Sequence, residues 1–244
     1  MVEGLSPRSD GDKVMARTVG SSGRRTVAAI RRAGLRLIYK HGYEAMSLRQ
    51  LAAEVGILQG SLYNHIRTKQ DLLFELITFH MDDLLRALEE ALRQDGTPTD
   101  RLKAFVGFHV DYHMTRKQEV FICYSELRSL TPRNFKAIVA MRQAYESRLI
   151  AILESGVADG SFSCGDCKVA AYGILSMLSG ICGWFRPDGR LSRADIAELF
   201  TDMALKSVSS DTLRRKQRSD AVLPLTLKPS VGALATLRRH KAAR

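Results

Sequence analysis

The chain has 244 residues and a formal net charge of +11 at pH 7, and this length suffices for a full hydrophobic core and for two domains. No run approaches the ~20 apolar residues of a membrane span, and the N-terminus lacks the apolar stretch of a secretory signal. We therefore expect a cytoplasmic protein with no membrane partner. Apolar residues recur at helical spacing with six prolines spread among them, which predicts an all-α fold.

The charge is unevenly distributed along the chain. Residues 24–70 hold nine basic and two acidic side chains, and residues 207–244 again hold nine and two. Residues 71–206 hold 16 basic and 19 acidic side chains, so a near-neutral body is flanked by two basic segments. Such a surplus is typical of surfaces that neutralise DNA phosphates. On charge alone, a solvated basic face of an ordinary helical hairpin is an equal alternative.

The N-terminal segment divides into an arm and a helix. Residues 1–23 are rich in Gly, Ser and charge without periodicity, and we predict a disordered arm there. A first helix is predicted from Arg24 to His41, ended by Gly42, because one apolar stripe recurs along it: Val27, Ile30, Gly34, Leu37 and Ile38.

Two short helices joined by a tight turn are predicted over residues 47–69. Ser47 is a good N-cap, and Gln50 stands where a capping box requires Glu or Gln. Gly56 tolerates the positive φ of the turn. The second helix, residues 59–65, is only about 10 Å long and carries polar side chains apart from Leu62 and a glycine. A polar helix this short suits a contact surface, and with the local charge it predicts a helix-turn-helix that binds DNA.

Six further helices are predicted in the body of the chain. Capping residues or prolines open most of them, over residues 69–94, 97–114, 116–130, 131–155, 166–184 and 192–207. Gly156 and Gly160 are expected to end the fourth of these six. The helix over 166–184 is apolar nearly all round, so one side can face its own core while another needs a second surface, most simply an identical subunit. From Val208 onward periodicity fails, and a basic, disordered tail is expected.

Two short motifs contain metal-binding residue types. His109 and His113 are four residues apart on one helix face, but the Glu of a zinc-protease HExxH motif is absent. Cys164 and Cys167 form a single CxxC without a second pair. We therefore expect no metal and no cofactor. The histidines are expected to line a ligand cavity or to make an interhelical contact, and the cysteines are expected to be ordinary thiols.

Residues 25–77 resemble the N-terminal domain of the tetracycline-repressor (TetR) family. The resemblance is carried by apolar residues at helical spacing, by glycines at the turns and by polar residues of the second short helix: Ala33, Gly34, His41–Tyr43, Ser47, Leu51, Ala52, Val55, Gly56, Gly60–His65, Lys69, Leu72 and Leu73. It implies a three-helix DNA-binding domain over 24–69 and a helical effector-binding and dimerisation domain over 70–207. Leu58 departs from the pattern, since the family usually has a Ser or Thr capping the recognition helix there.

The resemblance also implies the DNA contacts. Ser47 and Arg49 would touch phosphates from the second helix, and His65 and Lys69 would meet the backbone on the far side of the groove. The residues that would enter the major groove are Gln59, Gly60, Ser61, Tyr63 and Asn64.

A narrower resemblance covers the region from Gly156 to Ser192, which is similar to regulators that respond to acyl-CoA thioesters. Aromatic residues and a histidine of the body are the candidate effector contacts: Phe105, His109, Tyr112, Tyr124 and Trp184. Apolar residues of the last helices are the candidate dimer contacts, since these helices form the family's interface: Ile174, Leu175, Leu178, Ile181, Leu199 and Met203.

The expected function is that of a homodimeric transcriptional repressor. It would bind double-stranded operator DNA and be released by a small hydrophobic or acyl-CoA-like effector. An activator, or a regulator without a small ligand, is the first alternative. A helical enzyme is the second, but residues 71–206 offer no recognisable set of nucleophile, base and orienting group, so we expect no enzyme.

Overall fold

The computed structural model describes residues 21–92 and 96–209. Helices dominate these residues and confirm the all-α fold: α1 (Ser21–His41), α2 (Leu48–Val55), α3 (Gln59–Tyr63), α4 (Lys69–Ala91), α5 (Pro98–Thr115), α6 (Lys117–Ser125), α7 (Pro132–Ala158), α8 (Cys167–Ser179), α9 (Ile181–Trp184) and α10 (Arg193–Val208). A 3₁₀ turn spans Leu127–Ser129. Most of the predicted arm, and the tail from residue 210, lie outside the described residues.

Side-chain caps fix the start of most of these helices. In six helices, the side-chain oxygen of the N-cap residue accepts a hydrogen bond from a backbone N–H of the first turn. These N-cap residues are Ser47, Thr68, Thr97, Thr131, Asp166 and Ser192. Such a bond satisfies a donor that has no partner inside the helix and contributes roughly 1 kcal/mol. Because caps are local in sequence, these six starts agree with the predicted ones.

Several helix boundaries differ from those predicted. Helix α1 begins at Ser21, three residues early, and α4 ends at Ala91 rather than near residue 94. The predicted helix over 116–130 is α6 followed by the separate 3₁₀ turn. The predicted helix over 166–184 is divided at Gly180 into α8 and α9. Glycine is a weak point in a helix because it lacks a side chain and its backbone is costly to order.

One continuous hydrophobic core runs through both predicted domains. In the N-terminal part, Ile38, Leu51 and Leu62 are completely buried among α1, α2 and α3. Helix α4 packs against α1 and also against α5, α6 and α7. Its Leu72 lies over Gly34, where an added Cβ would be 3.1 Å from Leu72 Cδ1. Helix α6 also packs against α1, with the Tyr39 and Phe121 ring centroids 5.1 Å apart. The N-terminal module and the body are therefore joined through α6 and the first turns of α4.

Gly156 does not end α7 as predicted, because the helix continues to Ala158. It instead gives space to the ring of Phe162, which is 5% exposed. A Cβ at position 156 would lie 2.0 Å from Phe162 Cδ2. The backbone N–H of Phe162 also donates to the Gly156 carbonyl at 2.8 Å. The chain reverses at Gly160, whose φ is +78°, as the sequence predicts for a helix-ending glycine.

Replacing Gly156 by alanine should destabilise the protein, because the Phe162 ring must move out of its site. We expect the free energy of unfolding in urea to fall by about 1–3 kcal/mol, the usual cost of overpacking a core. Gly107→Ala is the matched control. It makes the same change inside α5 where no atom lies within 4 Å of the new Cβ, and it should raise stability by about 0.5–1 kcal/mol. Equal effects at both positions would contradict this role for Gly156.

Candidate DNA-binding face and effector cavity

The helix-turn-helix has the local geometry that its sequence predicts. Gln50 N donates to Ser47 Oγ at 3.2 Å, and Ser47 N donates to Gln50 Oε1 at 2.9 Å, which completes the capping box of α2. Gly56 follows α2 with a φ of +77°, and its N–H bonds back to the last turn. These contacts fix the direction in which the chain leaves α2 and enters α3.

Helix α3 has only five residues and is anchored by the completely buried Leu62. The predicted major-groove residues around this anchor are all exposed: Gln59, Gly60, Ser61, Tyr63 and Asn64. Gln59 Nε2 donates to Tyr63 Oη at 3.3 Å, so these two side chains form one polar unit on the helix surface. Arg49 on α2 and His65 after α3 are exposed as well. The structure thus leaves these predicted DNA contacts exposed on α2, on α3 and directly after α3, and their role in binding DNA remains a prediction.

Ser47 and Lys69 differ from the other predicted contacts because their side chains also bond to other parts of the protein. Both are half-buried, and Ser47 caps α2 as described above. Lys69 Nζ donates to the Glu44 carbonyl at 3.0 Å and lies 4.5 Å from the centroid of the Tyr43 ring. These contacts draw the Lys69 charge toward the loop before α2. They tie the start of α4 to that loop.

A second candidate site is a cavity of about 270 Å³ in the body of the protein. Five helices, α4 to α8, enclose it. Most of its lining is aliphatic, aromatic or histidine, with a few other polar side chains: His80, Met81, Leu84, His109, His113, Cys123, Tyr124, Ile138, Arg142, Tyr145, Glu146, Tyr172, Leu175, Ser176 and Ser179. An apolar cavity with a few polar groups is the usual form of a small-molecule site. It is therefore the candidate effector site.

Three buried histidines form the polar part of this cavity. The rings of His109 and His113 stack with centroids 3.7 Å apart, and His113 Nδ1 donates to the His109 carbonyl at 2.9 Å. A hydrogen bond of 2.8 Å joins His109 Nδ1 to Tyr145 Oη. Burial lowers the pKa of His80 and of His113 to about 4, and lowers that of His109 well below its usual value. All three are neutral at pH 7, so the charged side chains of the cavity lining are Arg142 and Glu146.

Two of the five predicted effector residues, His109 and Tyr124, line the cavity. The other three lie outside this cavity, so the structure does not bring them together with His109 and Tyr124. Phe105 is completely buried behind the ring of His109. Tyr112 Oη donates to Asp83 Oδ2 at 2.9 Å in a separate cleft. Trp184 is 55% exposed and stacks on Phe200 at the surface.

The sequence analysis missed the contribution of α7 to the cavity. Arg142, Tyr145 and Glu146 line it from this helix, and their spacing places them on one helix face. That spacing is the signal that could have identified them. It was insufficient alone, because α7 is amphipathic over 27 residues and several of its faces carry polar groups.

The predicted dimer residues separate into two groups. Ile174, Leu178 and Ile181 are at most 3% exposed within the single subunit, so they belong to its own core and are corrected as interface residues. Leu175 is partly buried and lines the cavity. Leu199 and Met203 on α10 remain 50% and 43% exposed, beside other large exposed apolar residues of α8 and α9: Val169, Tyr172 and Trp184.

Comparison with known families decides what kind of protein carries these two sites. A family model described as "Bacterial regulatory proteins, tetR family" matches residues 30–76, and one described as "Tetracyclin repressor-like, C-terminal domain" matches residues 95–208. The chain belongs to the TetR family. It is a TetR-type transcriptional regulator with a helix-turn-helix, as the sequence resemblance implied.

Individual TetR-family relatives cover most of the chain. The HTH-type transcriptional repressor KstR2 of Rhodococcus jostii (strain RHA1) is 27% identical over 79% of this chain and 95% of its own length. A tetR-family regulatory protein from Rhodococcus RHA1 superimposes with a TM-score of 0.72 at 29% identity, covering 76% of this chain and 97% of its own. AibR, crystallised with isovaleryl coenzyme A and operator DNA, gives a TM-score of 0.66 at 30% identity, covering 73% and 97%.

Leu58 occupies the N-cap position of the TetR recognition helix without capping it. Its φ and ψ of −65° and 144° suit an N-cap residue, but no side-chain bond is made. The side chain is 80% exposed, so it contributes little to the core. The sequence departure at this position thus leaves the first N–H groups of α3 without a side-chain partner.

Leu58→Ser should therefore stabilise the protein. A serine hydroxyl at this position can accept an N–H from the first turn of α3, which we expect to raise the free energy of unfolding in urea by about 1 kcal/mol. Leu58→Ala, which removes the same apolar surface without adding an acceptor, is the control and should remain near the wild type. If the serine and alanine variants are equally stable, the capping argument fails.

Proposed function

We propose that this TetR-type regulator is a repressor that binds operator DNA through the exposed face of α2 and α3 and releases it when an effector enters the cavity. The observation that carries the proposal is that α4 belongs to both sites. Its first turns pack on α1 of the DNA-binding module, and its middle supplies His80, Met81 and Leu84 to the cavity wall. The relative KstR2 is described as a transcriptional repressor, which supports repression rather than activation of transcription.

The coupling needs an effector that prefers one position of α4. The start of the helix is fixed to the DNA-binding module by Leu72 on Gly34 and by a 2.6 Å ion pair between Arg31 and Glu75. A ligand that displaces His80 or Leu84 thereby moves the surface to which α1 is attached. An effector shifts the population only as far as its affinity differs between the two states.

An acyl-CoA thioester is the effector class that we favour. The AibR structure, which holds isovaleryl coenzyme A, supports this choice by similarity. The cavity of about 270 Å³ is at the small end for a whole ligand, so we propose that it encloses the acyl group while the coenzyme A part extends outside. Arg142, which lies 4.9 Å from the centroid of the Tyr124 ring, is the cavity cation that could meet a phosphate.

The whole proposal is tested with purified protein and the DNA upstream of its own gene. The protein should retard that DNA in a gel, and a series of acyl-CoA thioesters should release it at micromolar concentrations. Transcription from the same DNA should rise when the protein is removed from cells. Transcription that falls instead would identify an activator, and DNA binding unaffected by any thioester would reject this effector class.

We also propose that the regulator is a homodimer joined through α8, α9 and α10. The segment Cys167–Trp184 has a mean hydropathy of 1.2 but only 22% of it is buried in one subunit. By length and composition this segment could also span a membrane, which is weak evidence because the core helices of soluble proteins meet the same criteria. Gly180 separates α8 from α9 within this segment. A second copy of the chain would cover its exposed apolar residues and give the two-fold symmetry that a palindromic operator requires.

Tyr63→Ala should weaken operator binding by about 30-fold or more. Each lost base contact costs roughly 1–3 kcal/mol, and a dimer loses two. The side chain is 46% exposed, so the circular dichroism spectrum should not change. Fluorescence anisotropy with labelled DNA measures the affinity. Tyr63→Phe keeps the ring and removes only the hydroxyl, which separates packing from hydrogen bonding. Wild-type affinity in the alanine variant would remove Tyr63 from the DNA face.

Leu199→Glu should convert the dimer into a folded monomer that binds DNA orders of magnitude more weakly. The glutamate remains solvated in a single subunit and would be desolvated only in the dimer. Sedimentation velocity measures the state of association, with circular dichroism for folding. Leu178→Glu is the contrasting variant, because Leu178 is completely buried in its own subunit and should cause unfolding. A Leu199→Glu protein that stays dimeric would exclude this surface as the interface.

A further inference from the structure

His80 differs from the other polar groups of the cavity because its Nδ1 has no partner. The residue is only 5% exposed, and Nδ1 makes no hydrogen bond within the described part of the chain. His109 and His113 both use their Nδ1 atoms in hydrogen bonds. The nearby Tyr112 ring, 5.6 Å away between centroids, directs its hydroxyl to Asp83 instead.

An unpartnered buried nitrogen is unfavourable for folding. Such a group loses its bonds to water and gains none in exchange, and an aromatic hydrocarbon of similar shape would avoid this loss. Phenylalanine at position 80 would also preserve the ring contact with Tyr112. A histidine at this position therefore suggests a partner that arrives from outside the chain. His80 lines both the cavity and the cleft that holds Tyr112, Asp83 and Arg116. In the cleft those three groups already bind one another, so the cavity is the space that such a partner can enter.

The charge of the cavity restricts what that partner can be. Burial keeps His80, His109 and His113 neutral at pH 7. Arg116, the cation that faces His80 from the other side, is already paired with Asp83 at 2.7 Å. Arg142 and Glu146 also line the cavity, and their charges are opposite, so a carboxylate bound beside His80 would lose its hydration without meeting a surplus of positive charge. A ketone or hydroxyl oxygen would lose little hydration and would gain a hydrogen bond.

We propose that His80 Nδ1 forms a hydrogen bond with an uncharged oxygen, a ketone or a hydroxyl, on the apolar part of the effector. The inference rests on the proposed function, since it takes the cavity as the effector site. A neutral imidazole can serve either oxygen, because Nδ1 donates in one tautomer and accepts in the other. The ligand class is thus an apolar group that bears an oxygen substituent rather than a plain hydrocarbon chain.

The position of His80 on α4 makes this bond a direct contact with the coupling helix. Asp83, three residues on, binds Arg116 and Tyr112 of the neighbouring chain segments. Glu75, five residues before, binds Arg31 of α1. An oxygen bound at His80 therefore acts between two anchor points of the helix that reaches the DNA-binding module.

The test uses the full chain and four probes that share one ring: cyclooctane, cyclooctanone, cyclooctanol and cyclooctanecarboxylate. Titration calorimetry on the wild type should show the ketone or the alcohol binding at least tenfold more tightly than the hydrocarbon, with the carboxylate weakest. In His80→Phe the hydrocarbon, ketone and alcohol should bind within about threefold of one another. The free variant should melt at or above the wild-type temperature, since the unpartnered nitrogen is gone. His41→Phe, the same change at an exposed histidine outside the cavity, should keep the wild-type preference.

Four results would contradict the proposed hydrogen bond at His80. A preference for the hydrocarbon or the carboxylate in the wild type overturns the inference without any variant, even if His80→Phe does not fold. Retention of the ketone or alcohol preference in a folded His80→Phe protein also overturns it. If none of the probes binds the wild type, both this inference and the assignment of the cavity as the effector site fail. If all four bind equally, the effector site survives and only the role of His80 is lost.

Discussion

The packing of α4 against α1 is the contact on which both ends of the molecule depend. Leu72 is completely buried over Gly34, closer than a side chain at position 34 would permit without movement. The half-buried Arg31–Glu75 pair closes the edge of the same contact. Because packed helices respond to volume changes by shifting as units, a displacement of α4 anywhere along its length is transmitted to α1. The recognition surface and the cavity are therefore linked through α4, and a second route runs through α6, which packs against α1 and supplies Cys123 and Tyr124 to the cavity wall.

The recognition helix shows how tertiary packing replaces intrinsic stability. Five residues are far too few for a helix to persist alone in water, and Leu58 supplies no cap. Leu62 is the side chain of α3 that is fully buried, so one contact holds the helix while its other side chains stay available. The arrangement explains why so polar a segment can be helical. It also means that small changes in the packing of α2 reorient the whole DNA-facing surface.

The fold class, the helix starts and the exposed polar residues of α3 could be predicted because their signals are local. A capping box needs residues only three positions apart, and Gly42, Gly56 and Gly160 occupy turns that require positive φ. The orientation of a helix that is apolar all round has no such local signal. Periodicity did not distinguish the buried Leu178 from the exposed Val169, because both faces of α8 are apolar. Tyr145 was missed for a different reason, because several faces of α7 carry polar groups and the face that meets the cavity depends on where α5 and α8 pack against α7.

The electrostatics of the N-terminal module are more selective than its composition indicates. Arg36 pairs with Glu54 at 2.9 Å, Arg31 with Glu75 at 2.6 Å, and Lys69 with the Glu44 carbonyl. Exposed pairs of this kind add little stability, but they cancel or redirect positive charge away from the recognition surface. Arg49 and Arg67 are exposed on either side of α3 in the sequence. Physiological salt screens exposed charges beyond ~8 Å. Cations close to α3 would therefore contribute more to phosphate binding than the basic side chains that lie farther from it. The internal contacts of Arg31, Arg36 and Lys69 thus position α1, α2 and α4 relative to one another, while Arg49 and Arg67 remain exposed cations near α3.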